Sequence, residues 1–164
     1  MRVRLVSFLL FLLLSGLAVA GCGGPPVDLK QGLQLEVVST GWFDAGIVDG
    51  KNKLVPALTI RLKNVSDQNL VSLQINAIFH RVTEAQEWGT GFITAAGSGG
   101  LGLGDATSLL TVRSHLGYTG TEPRAEMLNN SRFVDAKVDL FAKYGSTQWT
   151  KIGETPISRQ LLAP

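Results

Sequence analysis

Cysteine occurs once in 164 residues, histidine twice, and charged residues make up 17% of the chain. A single cysteine excludes an intramolecular disulfide, even in an oxidising compartment. His80 and His115 have no second histidine or cysteine beside them at ligand spacing, which argues against a zinc centre. Asp44, Asp49 and Asp105 are scattered and make no calcium loop. No basic block is present, so nucleic-acid binding has no electrostatic footprint. A nucleophile elbow is missing too: Gly97-Ser98-Gly99 lacks the outer glycine spacing and the strand-to-helix setting. Gly97-Ser98-Gly99-Gly100-Leu101-Gly102 matches G-x-G-x-x-G by letter. A dinucleotide site also needs a helix opening directly behind the glycines. Leu103-Gly104-Asp105 and a strand-like run follow instead. The expectation is a chain with no catalytic residues, no metal and no cofactor, and therefore not an enzyme. A dispersed Ser-His-Asp arrangement is the form in which an enzyme would escape a reading of this kind.

What the chain does have begins at its first residue. Arg2 and Arg4 precede Leu5 to Ala18, an apolar run broken only by Ser7, Ser15 and Gly16. A basic start, an apolar middle and small residues after it form the pattern of a secretory signal. The run is shorter than the ~20 residues of a permanent membrane span, and no later window reaches that length. Val19-Ala20-Gly21-Cys22 follows. This quartet resembles the lipobox of bacterial lipoproteins: an aliphatic residue, two small ones and the cysteine. The resemblance implies cleavage between Gly21 and Cys22, a diacylglycerol on the Cys22 sulfur and an acyl chain on its freed amine. Three chains exceed the two membrane signals that stable anchoring takes. Gly23 stands where an aspartate would mark inner-membrane retention in Gram-negative enterics, so the resemblance implies the periplasmic face of the outer membrane.

Removing Arg2 and Arg4 leaves 13 Lys and Arg against 13 Asp and Glu, a balanced remainder. Gly23-Gly24-Pro25-Pro26 reads as a short tether. Beyond it the apolar period is two. Gly32 to Val38 alternates, and Asp49-Gly50 is a hairpin dipeptide after Ile47-Val48. Ala57 to Lys63 sets Leu58, Ile60 and Leu62 against Thr59, Arg61 and Lys63. Leu70 to Val82 places Val71, Leu73, Ile75, Ala77 and Phe79 on one face. Phe133 to Lys143 does the same with Val134, Ala136, Val138, Leu140 and Ala142. Glu87 to Thr94 is predicted as a strand bulged by its glycines, and Ser108 to Arg113 as another. Gly97 to Gly104 is predicted as a flexible loop, Gly117 to Pro123 as an irregular connection, and Arg124 to Leu128 as a helical turn. Trp149 to Ile152 and Ile157 to Leu161 finish the chain around Pro156, which marks an edge or a break. Seven to nine short strands separated by turn residues predict an all-β antiparallel sandwich of the immunoglobulin-like kind. The expected division is 1–21 signal peptide, 22–31 lipidated tether and 32–164 sandwich.

Leu62-Lys63-Asn64-Val65-Ser66-Asp67, followed by Leu70, Leu73, Ile75, Ala77 and Phe79, resembles the FxLYD and LEA14-type (water-stress) modules of envelope proteins. These are small immunoglobulin-like sandwiches with a lysine-asparagine-x-serine turn between two core strands. Their usual leucine-proline-glycine turn is absent, with Leu103-Gly104-Asp105-Ala106 in its place. The resemblance implies a scaffold or binding role without catalytic residues. The membrane, through the N-terminal lipid, and an envelope protein partner are the expected contacts. Trp42, Phe43, Trp88 and Tyr118 are candidate partner-contact residues, since aromatics are enriched in interfaces; core packing is their other role. A carrier of a lipid or other apolar ligand is the alternative, and it requires an apolar cavity between the sheets or at the barrel mouth.

Overall fold

The computed structural model describes residues 25–163; the leader, Gly21 and Cys22 lie outside them. The domain is an all-β antiparallel sandwich of two four-stranded sheets. The first sheet is built on β1 (Leu33–Val48) and β2 (Lys51–Asn64), with β5 (Leu110–Arg113) and the short β6 (Tyr118–Gly120) side by side on the far edge of β2. The second has the order β4-β3-β7-β8, with β3 Leu73–Arg81, β4 Glu87–Ala96, β7 Ala136–Lys143 and β8 Thr150–Pro156. Two helical turns complete it, α1 (Leu29–Gly32) and α2 (Arg124–Asn129). Among the described residues no helix is long and apolar enough to cross a membrane.

Alternation translates directly into burial. Leu58, Ile60 and Leu62 from β2 are fully buried, while Arg61 and Lys63 are exposed. They meet Leu73, Ile75, Ala77 and Phe79 of β3 and Ala136, Val138, Leu140 and Ala142 of β7 in one cluster. Each fully buried large aliphatic or aromatic side chain contributes about 1.5–3 kcal/mol. This cluster fills the space between the sheets, one of the two places where an apolar-ligand carrier would hold its cavity.

Val71 departs from its predicted face. Ser72 takes a left-handed backbone (φ 53), so β3 begins at Leu73 and Val71 is left exposed. At Asp49-Gly50 both φ values are positive (51 and 73), the conformation of a two-residue hairpin turn, and Val48 pairs with Lys51 across it.

In β1, Val37 pairs with Ile60 and Ser39 with Thr59, which leaves Val38 as an extra residue. That bulge reverses the parity of the strand, so Thr40 and Trp42 turn inward after Leu33 and Leu35. The glycines of β4 do a different job from the predicted one. The unpaired residues of the strand are Trp88 and Ala95, while Gly89 and Gly91 pair in register with Phe79 and Ala77. A Cβ at Gly91 would strike the Arg113 carbonyl, and one at Gly89 the Ser114 hydroxyl. The glycines allow β4 to close against β5, where His115 N donates to Thr90 O at 3.2 Å.

The predicted flexible loop is tied down. Leu70 and Leu101 exchange backbone hydrogen bonds at 3.1 Å each way, and Asn69 Nδ2 donates to Gly99 O at 2.9 Å. After β8 the chain crosses to the first sheet. Ile157 is buried, Trp42 N donates to Gln160 O at 2.8 Å, and Leu162 N donates to Trp42 O at 2.9 Å.

Candidate functional site

The sandwich has two distinct ends. The described chain enters at one, where Val27 N donates to Tyr144 Oη (2.6 Å) and Gln68 Nε2 donates to Pro25 O (2.8 Å). The β2–β3 turn and the 97–105 loop share this end. Asn64 organises it from a fully buried position. Its Nδ2 donates to Gln68 O (2.8 Å) and Leu101 O (2.7 Å), while its Oδ1 accepts from Ser66 N (3.0 Å) and Ser66 Oγ (2.7 Å). This is the asparagine of the lysine-asparagine-x-serine turn, and it locks two loops together.

The opposite end carries the aromatics. Trp42 is 0% exposed and packs edge-on to Phe133 at 4.6 Å between centroids, with Tyr118 at 5.6 Å and Trp88 at 6.1 Å. Trp88 and Tyr118 lie 5.0 Å apart and Tyr118 and Phe133 4.8 Å apart. The Arg81 guanidinium sits 5.0 Å over Trp88 and that of Arg159 5.1 Å over Phe133. Of the four predicted contact aromatics, three therefore meet in one cluster. Trp42 presents no surface, so any contact through this cluster is made by the half-buried Trp88 and Tyr118. Phe43 is elsewhere, paired with Val55 on the outer face of the first sheet and roofed by Arg113 at 3.3 Å.

A cleft of about 200 Å³ opens beside the cluster. Its lining includes Tyr118, Met127 and Phe133, with Glu122, Asn130 and Arg132 around them. Three links hold its walls. Arg124 of α2 pairs with Asp44 of β1 at 2.5 Å. That pairing with the guanidinium, then a hydrogen bond from Gly46 N–H, holds the Asp44 carboxyl below the usual carboxylate range. Arg159, in the segment after β8, donates to Asp135 Oδ1 (2.5 Å), Leu128 O (3.3 Å) and Phe133 O (3.1 Å). Asn130 Oδ1 accepts from Arg132 N at 2.9 Å and turns the chain into Phe133. Sequence reasoning missed this cleft. Its lining comes from one run, Tyr118 to Phe133, but no local pattern announces that α2 folds back against β6.

The histidines lie apart from the cleft. His80 Nε2 is 3.4 Å from Asp139 Oδ2, and Lys151 Nζ is 3.0 Å from the other Asp139 oxygen. Hydrogen bonds to Glu154, then Asp139, raise the Lys151 pKa. His80 Nδ1 faces Gln86 O, and His115 Nδ1 faces Thr90. Among the described residues, neither imidazole is hydrogen-bonded to a serine hydroxyl, and no three His, Cys, Asp or Glu side chains cluster as metal ligands. Gly21 and Cys22 lie outside the described residues.

With this geometry the arrangement offers an apolar floor, one cation, one carboxylate and one amide. These groups suit the reception of a protruding side chain or a small amphipathic group. Comparison of the chain with protein-family models gives no match, and comparison with curated proteins gives none either.

Proposed function

We propose that this chain is a membrane-anchored envelope lipoprotein whose sandwich acts as a non-catalytic binding or structural module for an envelope protein or polymer. One observation carries the reading. The described chain enters at Pro25 and Val27, at one end of the sandwich, and the aromatic-floored cleft opens at the other. Cys22 of the lipobox-like quartet is three residues ahead of Pro25. An anchor there directs the cleft away from the bilayer, toward whatever lies beyond it. In this reading a partner's apolar group enters between Tyr118, Met127 and Phe133, while Glu122, Asn130 and Arg132 fix its orientation. The resemblance of Leu62–Asp67 to FxLYD and LEA14-type modules supports the same role, and Gly23 supports residence at the outer membrane.

Two measurements test the proposal. Mass spectrometry of the mature protein should find Cys22 at the N-terminus, carrying diacylglycerol and an amide-linked acyl chain. Cys22→Ala should leave uncleaved precursor or free the domain from membranes, and a bare Cys22 in the native protein refutes the anchor. Affinity capture from detergent-solubilised envelopes should recover a reproducible partner that Arg132→Glu loses and Lys30→Glu keeps. Equal recovery by both variants removes the cleft from the interface.

A further inference from the structure

We propose that the end of the sandwich holding Pro25 is itself a membrane-contact surface, seating apolar loop tips and Trp149 in the headgroup layer of a lipid bilayer. The proposal rests on the lipid-anchor reading. With Pro25 O held by Gln68 and Val27 N held by Tyr144, little slack exists between domain and anchor. Cys22 is three residues upstream, so its sulfur is reached by at most about 11 Å of extended chain. An anchor on so short a line brings this end of the domain to the bilayer surface.

What the end presents fits that neighbour. Val65 and Val71 of the β2–β3 turn are exposed, as is Leu103 of the loop that Asn64 ties in place. Trp149, 38% exposed, follows the Tyr144 turn; its ring meets Phe92 at 6.3 Å, and Lys143 Nζ lies 4.9 Å over it. An indole beside an ammonium is headgroup-level chemistry, because the ring enters the acyl boundary while the N–H and the charge stay hydrated. Formal charge at this end is balanced, with Lys30, Lys63 and Lys143 against Asp28, Asp67 and Asp105. The contact therefore does not require anionic lipid. Ile47, Val48, Val82 and Leu116 are also exposed, but they belong to the opposite end. At ~3.3 Å per residue, the length of β2 separates them from the anchor by roughly 40 Å.

The three tryptophans make the test direct, since Trp42 and Trp88 occupy the far end and Trp149 the near one. Lipidated full-length protein is reconstituted in phosphatidylcholine vesicles brominated near the headgroup. Emission should be quenched in the wild type, with quenching reduced at least threefold in Trp149→Phe and unchanged when a fifth of the lipid is anionic. The Val71→Asp/Leu103→Asp double variant should remain bound to vesicles yet lose at least half of the Trp149 quenching. Bound protein with Trp149 unquenched overturns the seating and leaves the anchor standing. Equal quenching in Trp149→Phe also overturns it, by placing the far end at the lipid. Protein that fails to float with vesicles overturns the anchor and the seating together.

Discussion

Replacing Asn64 with alanine would delete four hydrogen bonds from a side chain that no solvent reaches. Not all four cost the same. The Ser66 hydroxyl, freed from Asn64 Oδ1, can turn its one proton to the Gln68 carbonyl 3.2 Å away, and the Leu101 carbonyl keeps Leu70 N–H, so neither carbonyl is left bare. Ser66 N–H loses its acceptor, but it is only part-buried and water recovers some of the loss. Taking about 1 kcal/mol for each bond to a carbonyl and somewhat less for each of the Ser66 pair gives about 3 kcal/mol. That is a large share of the 5–15 kcal/mol by which a domain is usually stable. With a urea slope of about 2 kcal/mol/M for a chain of this size, the midpoint should fall by about 1.5 M.

Asparagine-to-aspartate at the same position separates geometry from volume. Aspartate keeps the acceptor for Ser66 but turns a carboxylate toward the Gln68 and Leu101 carbonyls, so Asn64→Asp should be at least as unstable as Asn64→Ala. Asn69→Ala is the control. Its single exposed bond to Gly99 O should be worth less than 1 kcal/mol. A midpoint shift below about 0.5 M for Asn64→Ala, at unchanged slope, would refute the claim that this side chain locks the two loops.

Trp42→Ala should cost about 3–5 kcal/mol in the same urea experiment and remove the near-ultraviolet aromatic signal of the cluster, because four rings share that packing. A cost below 1.5 kcal/mol would mean the cluster closes around the gap. Gly91→Ala should destabilise by about 1–3 kcal/mol, since the new methyl meets the Arg113 backbone and cannot be accommodated by a rotamer change; an unchanged midpoint would show that β4 and β5 separate freely. For Asp44, the folded carboxyl ionises below its unfolded value, so its contribution is full above the unfolded pKa and is lost as pH falls through the folded one. The protection of α2 amides, taken relative to their intrinsic exchange rate at each pH, should therefore fall below about pH 4. In Asp44→Asn that acid step should vanish, and its persistence would assign it to another carboxylate.

How far the fold was legible followed from whether the information was local. β2, β3 and β7 could be read in advance because strict alternation and one buried face are the same fact written twice. The Asp49-Gly50 turn was equally plain, since few dipeptides tolerate two left-handed residues. The bulge at Val38 was not, because an extra residue leaves no trace in composition and only reverses parity further on. Gly89 and Gly91 were visible as glycines, but the β5 backbone that needs their missing side chains is more than twenty residues away. The C-terminal crossover to Trp42 depends on such a distant contact and had no signal in the sequence; the cleft is lined from within Tyr118 to Phe133, but nothing in the pattern of that run shows that α2 folds back on β6.

The edges of the sheets bear on where a partner would bind. A bare edge strand invites an added strand, and proteins blunt such edges with cover, charge or proline. Here β4 closes against β5, and the segment from Gln160 to Leu162 covers β1 at Trp42. β8 carries Lys151 and Glu154, ends at Pro156, and packs Gly153 beside Leu35 of β1. Strand addition therefore finds little open edge, and recognition falls to the two ends of the sandwich. If the Pro25 end is occupied by the bilayer, the surface left for a partner is the one around Tyr118, Asn130 and Arg132. Cross-linking from a photoreactive residue at Asn130 should then capture the partner that one at Ser66 does not, and the reverse result would put the partner, not lipid, at the anchored end.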